Sequence, residues 1–416
     1  HHHSGIWVDL FASETAFALA EILHLVGDKL PDVPQERIRY EVFRRVLYPF
    51  MNDGPFGWED ARHNWSAVCA GSISAAAIYM IEDADELAEV LEKSISSLEC
   101  FLDGYLHDGA CMEGFYYWGY GFGFFVYAAD LIKLRTGGSV DLLQNEKVKN
   151  IAEFQHKCFL SGDQVVNFAD AQRTGRLNIG LAHYLASIFP TCEVPEQTLR
   201  TSFSDDHCGR WAPAMRNLLW FNPDLQGKPW PEASFWLADA EWLISRYVTD
   251  SGTYAFAAKG GHNEEPHNHN DVGHFLLHIN GESLLTDMGW GEYTAEYFSE
   301  ARYDFICTSS AAHSVPVVAG QYQRPGKDRK AKVLQIEQGE CADILELDIT
   351  KTYDVEQLQS LVRRMEWWKG QVPRLVLIDT FQWQERETDQ MDRDSGCKEN
   401  FAMKERFICM SRPIAI

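Results

Sequence analysis

From Glu14 onward, apolar residues recur at helical spacing: Phe17, Ala20, Leu23 and Val26 share one face, and Ser13 is placed to cap the first turn. Pro34 stands where a helix opens, and Ile38, Val42, Val46 and Leu47 form the stripe that follows. The same periodicity predicts helices near 65–81, 83–102, 119–134, 148–159 and 177–188. Short connections between them favour antiparallel helix pairs, as a bundle or an (α/α) toroid.

The pattern changes near Pro229-Trp230-Pro231, after which turn signals arrive about every ten residues. Thr253–Ala257 alternates. Phe275–Ile279, Asn280-Gly281 and Ser283–Thr286 carry the strongest hairpin signal in the chain. Val315–Ala319, Val333–Ile336, Ile344–Leu347, Leu361–Trp367 and Leu375–Ile378 also read as strands, and Glu385–Asn400 reads as a polar loop. The expected organisation is α+β with two domains, a helical one over 6–228 and an antiparallel β one over 229–416. His1-His2-His3-Ser4-Gly5 has the form of a tag remnant and is set aside.

Charge narrows the partners. The 416 residues carry 37 Lys+Arg against 61 Asp+Glu, a formal charge of −24, so there is no basic footprint for nucleic acid or an anionic membrane. Uninterrupted apolar runs fall short of a membrane span, the longest candidate being broken by Gly121 and Gly123. Aromatic residues reach 13%, enough for a large core or for surfaces that stack on sugars. The ten cysteines include no CxxC pair and read as buried free thiols of a reducing compartment. The expected location is cytoplasmic, with a periplasmic or secreted location left open because a tag can replace a signal. Oligomeric state, including a homo-oligomer, is also open.

Three polar clusters carry candidate chemistry. The densest runs from Gly260 to His274 and contains His267-Asn268-His269-Asn270-Asp271. In an extended segment His267 and His269 face one side, the usual start of a metal site. Asp287 and His313 near predicted strand ends can complete it, and imidazole nitrogens with one carboxylate suit zinc or a similar divalent ion. The plain alternative is a polar loop whose histidines only hydrogen-bond. The second cluster is Arg62-His63-Asn64-Trp65, where Asn64 can simply cap a helix. The third is His107 to Gly121, with Glu113, Tyr116, Tyr117 and Trp118, whose aromatic run reads as core or sugar platform as readily as catalyst.

Together these segments resemble the heparinase II/III-like polysaccharide lyases. Glu113-Gly114-x-x-Tyr117-Trp118-Gly119 is similar to that family's tyrosine motif, and Arg62-His63-Asn64-Trp65 to its N-terminal Asn/His-Trp motif. His267-x-His269-x-Asp271, Asp287, Gly289, His313, Gly320-x-x-Gln323 and Asp379-Thr380-Phe381 resemble its second-domain motifs. The resemblance implies an (α/α) toroid followed by an antiparallel β-sandwich, with the active site in a cleft between them. It implies β-elimination at a uronic acid in an acidic oligo- or polysaccharide, leaving an unsaturated uronate end. His63 or Asn64 would neutralise the uronate carboxylate, while Tyr117 and His267 would move protons. His269, Asp287 and His313 would hold a structural metal, with zinc the expected ion.

This chemistry suits the residues. The C5 proton is poorly acidic while the neighbouring carboxylate keeps its charge, so a donor to that carboxylate, a base and an acid are all required. Arg62, Glu113, Tyr116, Trp118, Arg173, Arg176, Asn268, Trp290 and Arg302 are the expected substrate contacts. One rival is an (α/α) glycoside hydrolase using Glu113 and Asp108, which leaves the histidines unexplained. Others are a metal-stapled glycan-binding protein and a cupin-like metalloenzyme. The charge of −24 favours short or weakly charged uronate substrates over full-length heparin.

Overall fold

The helix over Asn64–Met80 is built from small uncharged residues, and every position from Ser66 to Ala77 is buried. A helix apolar on all sides belongs at the centre of a layered helical unit. Helices Leu10–Val26, Ala84–Asp103 and Gly123–Arg135 all pack against it. The computed structural model describes residues 7–206, 208–384 and 403–410. The chain divides into two units: one comprises His1–Cys111, Tyr116–Gln155 and Arg176–Lys228, the other Met112–Phe115, His156–Gly175 and Pro229–Ile416.

Helix starts differ from expectation by a few residues, and caps explain why. The first helix begins at Leu10 because Asp9 accepts from the Ala12 N–H, and Ser13 is buried inside it. The second begins at Asp32, so Pro34 sits within its first turn, where a missing N–H still costs no helical bond. Asp83 caps the helix that starts at Ala84. The expected helix from 119 is interrupted: Trp118–Phe122 forms a π-turn before Gly123–Arg135. Trp211–Leu219 adds a helix that the periodicity did not reveal.

The first helix and the short turn after it, Leu10–Lys29, are long and apolar enough by composition to cross a membrane. Glu21 argues for a core role instead. Buried at 1% exposure, it accepts hydrogen bonds from Tyr79 Oη, Trp211 Nε1 and Arg216 Nη1 within the helical unit. Of the nine cysteines among the described residues, five are buried: Cys69, Cys111, Cys158, Cys192 and Cys307. Cys208 and Cys341 are exposed, against the expectation of buried thiols throughout.

The second unit is formed by antiparallel sheets. One is a five-stranded meander of Ala233–Leu237, Trp242–Thr249, Gly252–Lys259, Phe275–Ile279 and Glu282–Leu285. Asn280 and Gly281 both take positive φ, 49° and 87°, the turn that suits the twist of a two-residue hairpin. The Trp242–Thr249 strand escaped the sequence reading because its first five residues are all buried, which removes the alternation. The second sheet is a meander of Lys332–Gln338, Ala342–Asp348, Leu358–Trp368 and Arg374–Trp383. Residues of both sheets share one apolar core, in which Phe256 and Trp367 stack at 6.0 Å. The expected strand over 315–319 shrinks to Val317–Val318, ended by Ala319 at φ 49°. The expected polar loop Glu385–Asn400 lies outside the described residues.

Candidate metal centre and proton-transfer residues

Within the helical unit, His63 rather than Asn64 takes the cap position. Its Nδ1 accepts from the Trp65 N–H at 3.4 Å, and Asn64 is the first helical residue. Asn64 therefore stands at the positive end of the helix, a placement suited to an anion. The aromatic segment reaches it through Gly121. A side chain there would meet Asn64 Cβ at 3.1 Å, tighter than ordinary contact, so glycine lets the π-turn approach the helix without displacing a neighbour. Tyr117 is half-buried at the start of that turn, with the ring of Tyr116 edge-on at 5.8 Å. Tyr116 is 45% exposed, whereas Trp118 is 1% exposed and donates its indole N–H to Ile151 O at 2.7 Å. Trp118 thus packs the core and offers no face to a sugar. Arg62 and Arg176 are exposed.

In the second unit the chemistry centres on Asp170, a residue that stands in no motif of the sequence. Asp170 is fully buried and accepts from five side chains: His267 Nδ1 at 2.7 Å, His269 Nε2 at 2.9 Å, Tyr297 Oη at 2.6 Å, Arg302 Nη2 at 2.9 Å and Tyr293 Oη at 3.3 Å. Burial alone would raise its pKa, but the hydrogen bonds from His267, His269 and Tyr297 hold the carboxyl well below the usual carboxylate range. It is therefore an ionised acceptor.

His267 and His269 do not face one side by strand alternation. His267 lies in a turn with φ 54°, a left-handed conformation uncommon outside glycine. The two imidazoles instead meet the same carboxylate through different nitrogens, and only His269 turns its second nitrogen into a cluster of donors. That cluster is His269, Asp271, Asp287 and His313, all buried, with one ligand atom of each within 4.8 Å of the others. Asp271 was not among the expected ligands, although its place two residues beyond His269 was the available signal.

Hydrogen bonds fix the histidine tautomers. His269 donates Nε2–H to Asp170, and His313 donates Nε2–H to Cys307 O at 3.1 Å, because a carboxylate and a carbonyl can only accept. In the neutral rings both Nδ1 atoms then carry lone pairs, as metal binding requires. His274 is the reverse. The Ser314 N–H donates to its Nδ1 at 2.9 Å, which places the proton on Nε2, 3.4 Å from Asp287 Oδ2. With its proton on Nε2, which makes no hydrogen bond, His274 has no lone pair to offer there and is not among the donors.

His269 Nδ1, Asp271 Oδ2, Asp287 Oδ2 and His313 Nδ1 are all buried without a hydrogen-bond partner. His313 Nδ1 lies 3.0 Å from Asp287 Oδ2, but not in hydrogen-bond alignment. Leaving one such group unsatisfied costs about 1–3 kcal/mol, so a set of four fits a bound cation. The outer oxygens are held elsewhere: Asp271 Oδ1 by Lys259 Nζ at 2.7 Å, and Asp287 Oδ1 by the Gly289 N–H at 2.7 Å. The loops are clamped as well. Gln323 bonds both the N–H and the C=O of Val272, and Arg363 donates to Gly273 O and Ser314 O.

Among the other expected contacts, Glu113 is half-buried, and burial pushes its carboxyl up against the opposing effect of His267. Gly114 and Gly289, at φ 94° and 70°, both press on Ala171, a close approach that a side chain at either position would block. Asn268 is buried and donates to Tyr303 Oη, and Arg302 spends its donors on Asp170, Asn268 O and Tyr297 O. Both therefore build the site. Trp290 is half-buried beside Tyr293, and Tyr293 and Phe298 stay exposed with ring centroids 6.2 Å from that of His267. Arg173 Nη1 lies 2.9 Å from Met410 Sδ.

These features coincide with a sequence match. Residues 231–407 match the family described as heparinase II/III-like, C-terminal. This segment contains every member of the donor cluster and His267. The whole fold is similar to heparan sulfate lyase HepC from Pedobacter heparinus, with a TM-score of 0.63 at 18% identity, covering 90% of this chain and 54% of that one. A heparinase III structure aligns with a TM-score of 0.66 at 16% identity, covering 92% of this chain and 57% of the other. At such identities the likeness is one of fold, and this chain spans little more than half the length of those proteins. No curated protein matches the sequence.

Proposed function

We propose that the protein is a polysaccharide or oligosaccharide lyase that cleaves a uronic-acid-containing glycan by β-elimination, on an (α/α) toroid joined to a β-sandwich. The observation that carries this reading is His267, ordered by an ionised Asp170 beside a buried His/Asp/Asp/His donor group, within the heparinase II/III-like segment.

The chemistry follows from the groups. With Nδ1–H given to Asp170, a neutral His267 carries its lone pair on Nε2 and can take the C5 proton. Tyr117 is assigned the complementary transfer to the glycosidic oxygen, the two roles exchanging with the C5 epimer cleaved. Asn64 and His63, at a helix N-terminus, are assigned to the uronate carboxylate, where they stabilise charge that develops as the proton leaves. Tyr293, Phe298 and Trp290 form an aromatic ledge suited to a sugar face. A divalent ion on His269, Asp271, Asp287 and His313, with zinc favoured by the mixed nitrogen and oxygen donors, supplies structural cross-linking of the loops.

The deciding experiment is a panel of uronate glycans of graded length and sulfation, read by ultraviolet absorbance and product mass. A rise in absorbance with products of unsaturated-uronate mass is expected, strongest on short or weakly sulfated substrates. New reducing ends with incorporated water and no absorbance would identify a hydrolase and sink the reading.

A further inference from the structure

Asp170 has a geometry beyond that of a general support. We propose that it is a positioning residue that sets the tautomers of two imidazoles at once, so that the metal centre and the proton-transfer histidine are coupled through one carboxylate. The identity of His267 as the proton-transfer group rests on the function proposed above; the tautomer assignment does not.

The two oxygens divide the task. Oδ1 accepts from His269 Nε2 and Tyr297 Oη, while Oδ2 accepts from His267 Nδ1, Arg302 Nη2 and Tyr293 Oη. A carboxylate has about four lone-pair positions, so five donors saturate it, and neither oxygen can rotate away without abandoning buried partners. The backbone is equally constrained. Ala169, just before Asp170, and His267, opposite it, both take left-handed φ values of 61° and 54°, a strain that persists only where surroundings impose it. Ala171, just after Asp170, is wedged between Gly114 and Gly289.

The consequence is a shared constraint. His269 can offer Nδ1 to a cation only while its Nε2–H has an acceptor, and His267 can offer Nε2 to a substrate only while its Nδ1–H has one. Both acceptors are the same carboxylate. Asp170→Asn separates them. The amide oxygen belongs on the side of Arg302, His267 and Tyr293, all donors. The NH2 group then faces His269 Nε2, which must become an acceptor and move its proton to Nδ1, into the donor cluster.

The test uses the full chain and needs no substrate. Nitrogen-15 NMR of the metal-free wild type is expected to show His267 protonated on Nδ1 and His269 on Nε2. In Asp170→Asn, His269 is expected to switch to Nδ1–H while His267 keeps its tautomer. Zinc titration is expected to give a dissociation constant weakened about 10–100-fold, the usual effect of losing a partner behind a ligand. At saturating zinc the variant is expected to keep its KM while kcat falls on any substrate the wild type cleaves. Opposite tautomers in the wild type overturn the proposal even if the variant does not fold. Wild-type zinc affinity in a folded Asp170→Asn does the same. Expected tautomers and zinc affinities in a protein inactive on the whole glycan panel would reject the lyase reading while leaving the coupling in place.

Discussion

Tyr117→Phe removes one hydroxyl and leaves an aromatic ring of the same shape. If that hydroxyl transfers a proton in elimination, kcat falls by about 10²–10⁴-fold while substrate binding, measured by calorimetry, stays within a few fold. Wild-type turnover in this variant removes Tyr117 from the mechanism. The donor cluster makes a separate prediction. If the cluster holds an ion as proposed, His269→Ala and Asp271→Asn should each lower metal content and thermal midpoint together, because a bound ion would stabilise only the fold that gathers its ligands. Full occupancy in Asp271→Asn would reduce the ligand set to the three residues expected from the sequence. These single residues were partly legible in advance. His269, Asp287 and His313 lie in short polar motifs, whereas Asp170 is 97 residues from His267 in a loop without any such pattern.

At the scale of elements, the Phe275–Leu285 hairpin stores a pH dependence. His278 is fully buried on its first strand, with Nε2 2.6 Å from Ser161 Oγ, and burial pushes its pKa from 6.5 down to about 4. Between those values the unfolded chain binds more protons than the folded one, so stability rises with pH across this window and is lost as pH falls through it. The contribution is at most about 3 kcal/mol. Urea midpoints measured from pH 7 to pH 4 should fall in the wild type and fall less in His278→Gln; parallel curves would reject the assignment. Elements were legible where one periodicity dominated, as in the Asn280-Gly281 hairpin. They were hidden where both faces are covered, as in Trp242–Thr249, or where a cap lay outside the apolar stripe, as with Asp9.

For the whole molecule, the net charge of −24 would set the terms on which the anionic substrate proposed above is met. Long-range repulsion slows the capture of a long sulfated chain and matters less for a short one. Added salt should therefore raise kcat/KM for long sulfated substrates between about 20 and 200 mM, as the screening length shrinks, and leave short oligosaccharides little changed. A fall with salt on both classes would instead indicate a locally positive site that outweighs the overall charge.

The sequence by itself determined most of the helices and strands, the hairpin and most of the polar motifs, because periodicity and turn chemistry are local properties of the chain; the Trp211–Leu219 helix and the Trp242–Thr249 strand were not among them. It also carried the heparinase II/III-like signature now matched over 231–407. Only the tertiary structure decided which nitrogen of His267, His269, His274 and His313 bears the proton, that Asp271 joins the donors, that Trp118 is core and that Arg302 is a support. Those outcomes depend on which acceptors lie opposite each donor, and Asp170, Cys307 O and the Ser314 N–H reach their histidines only through folding.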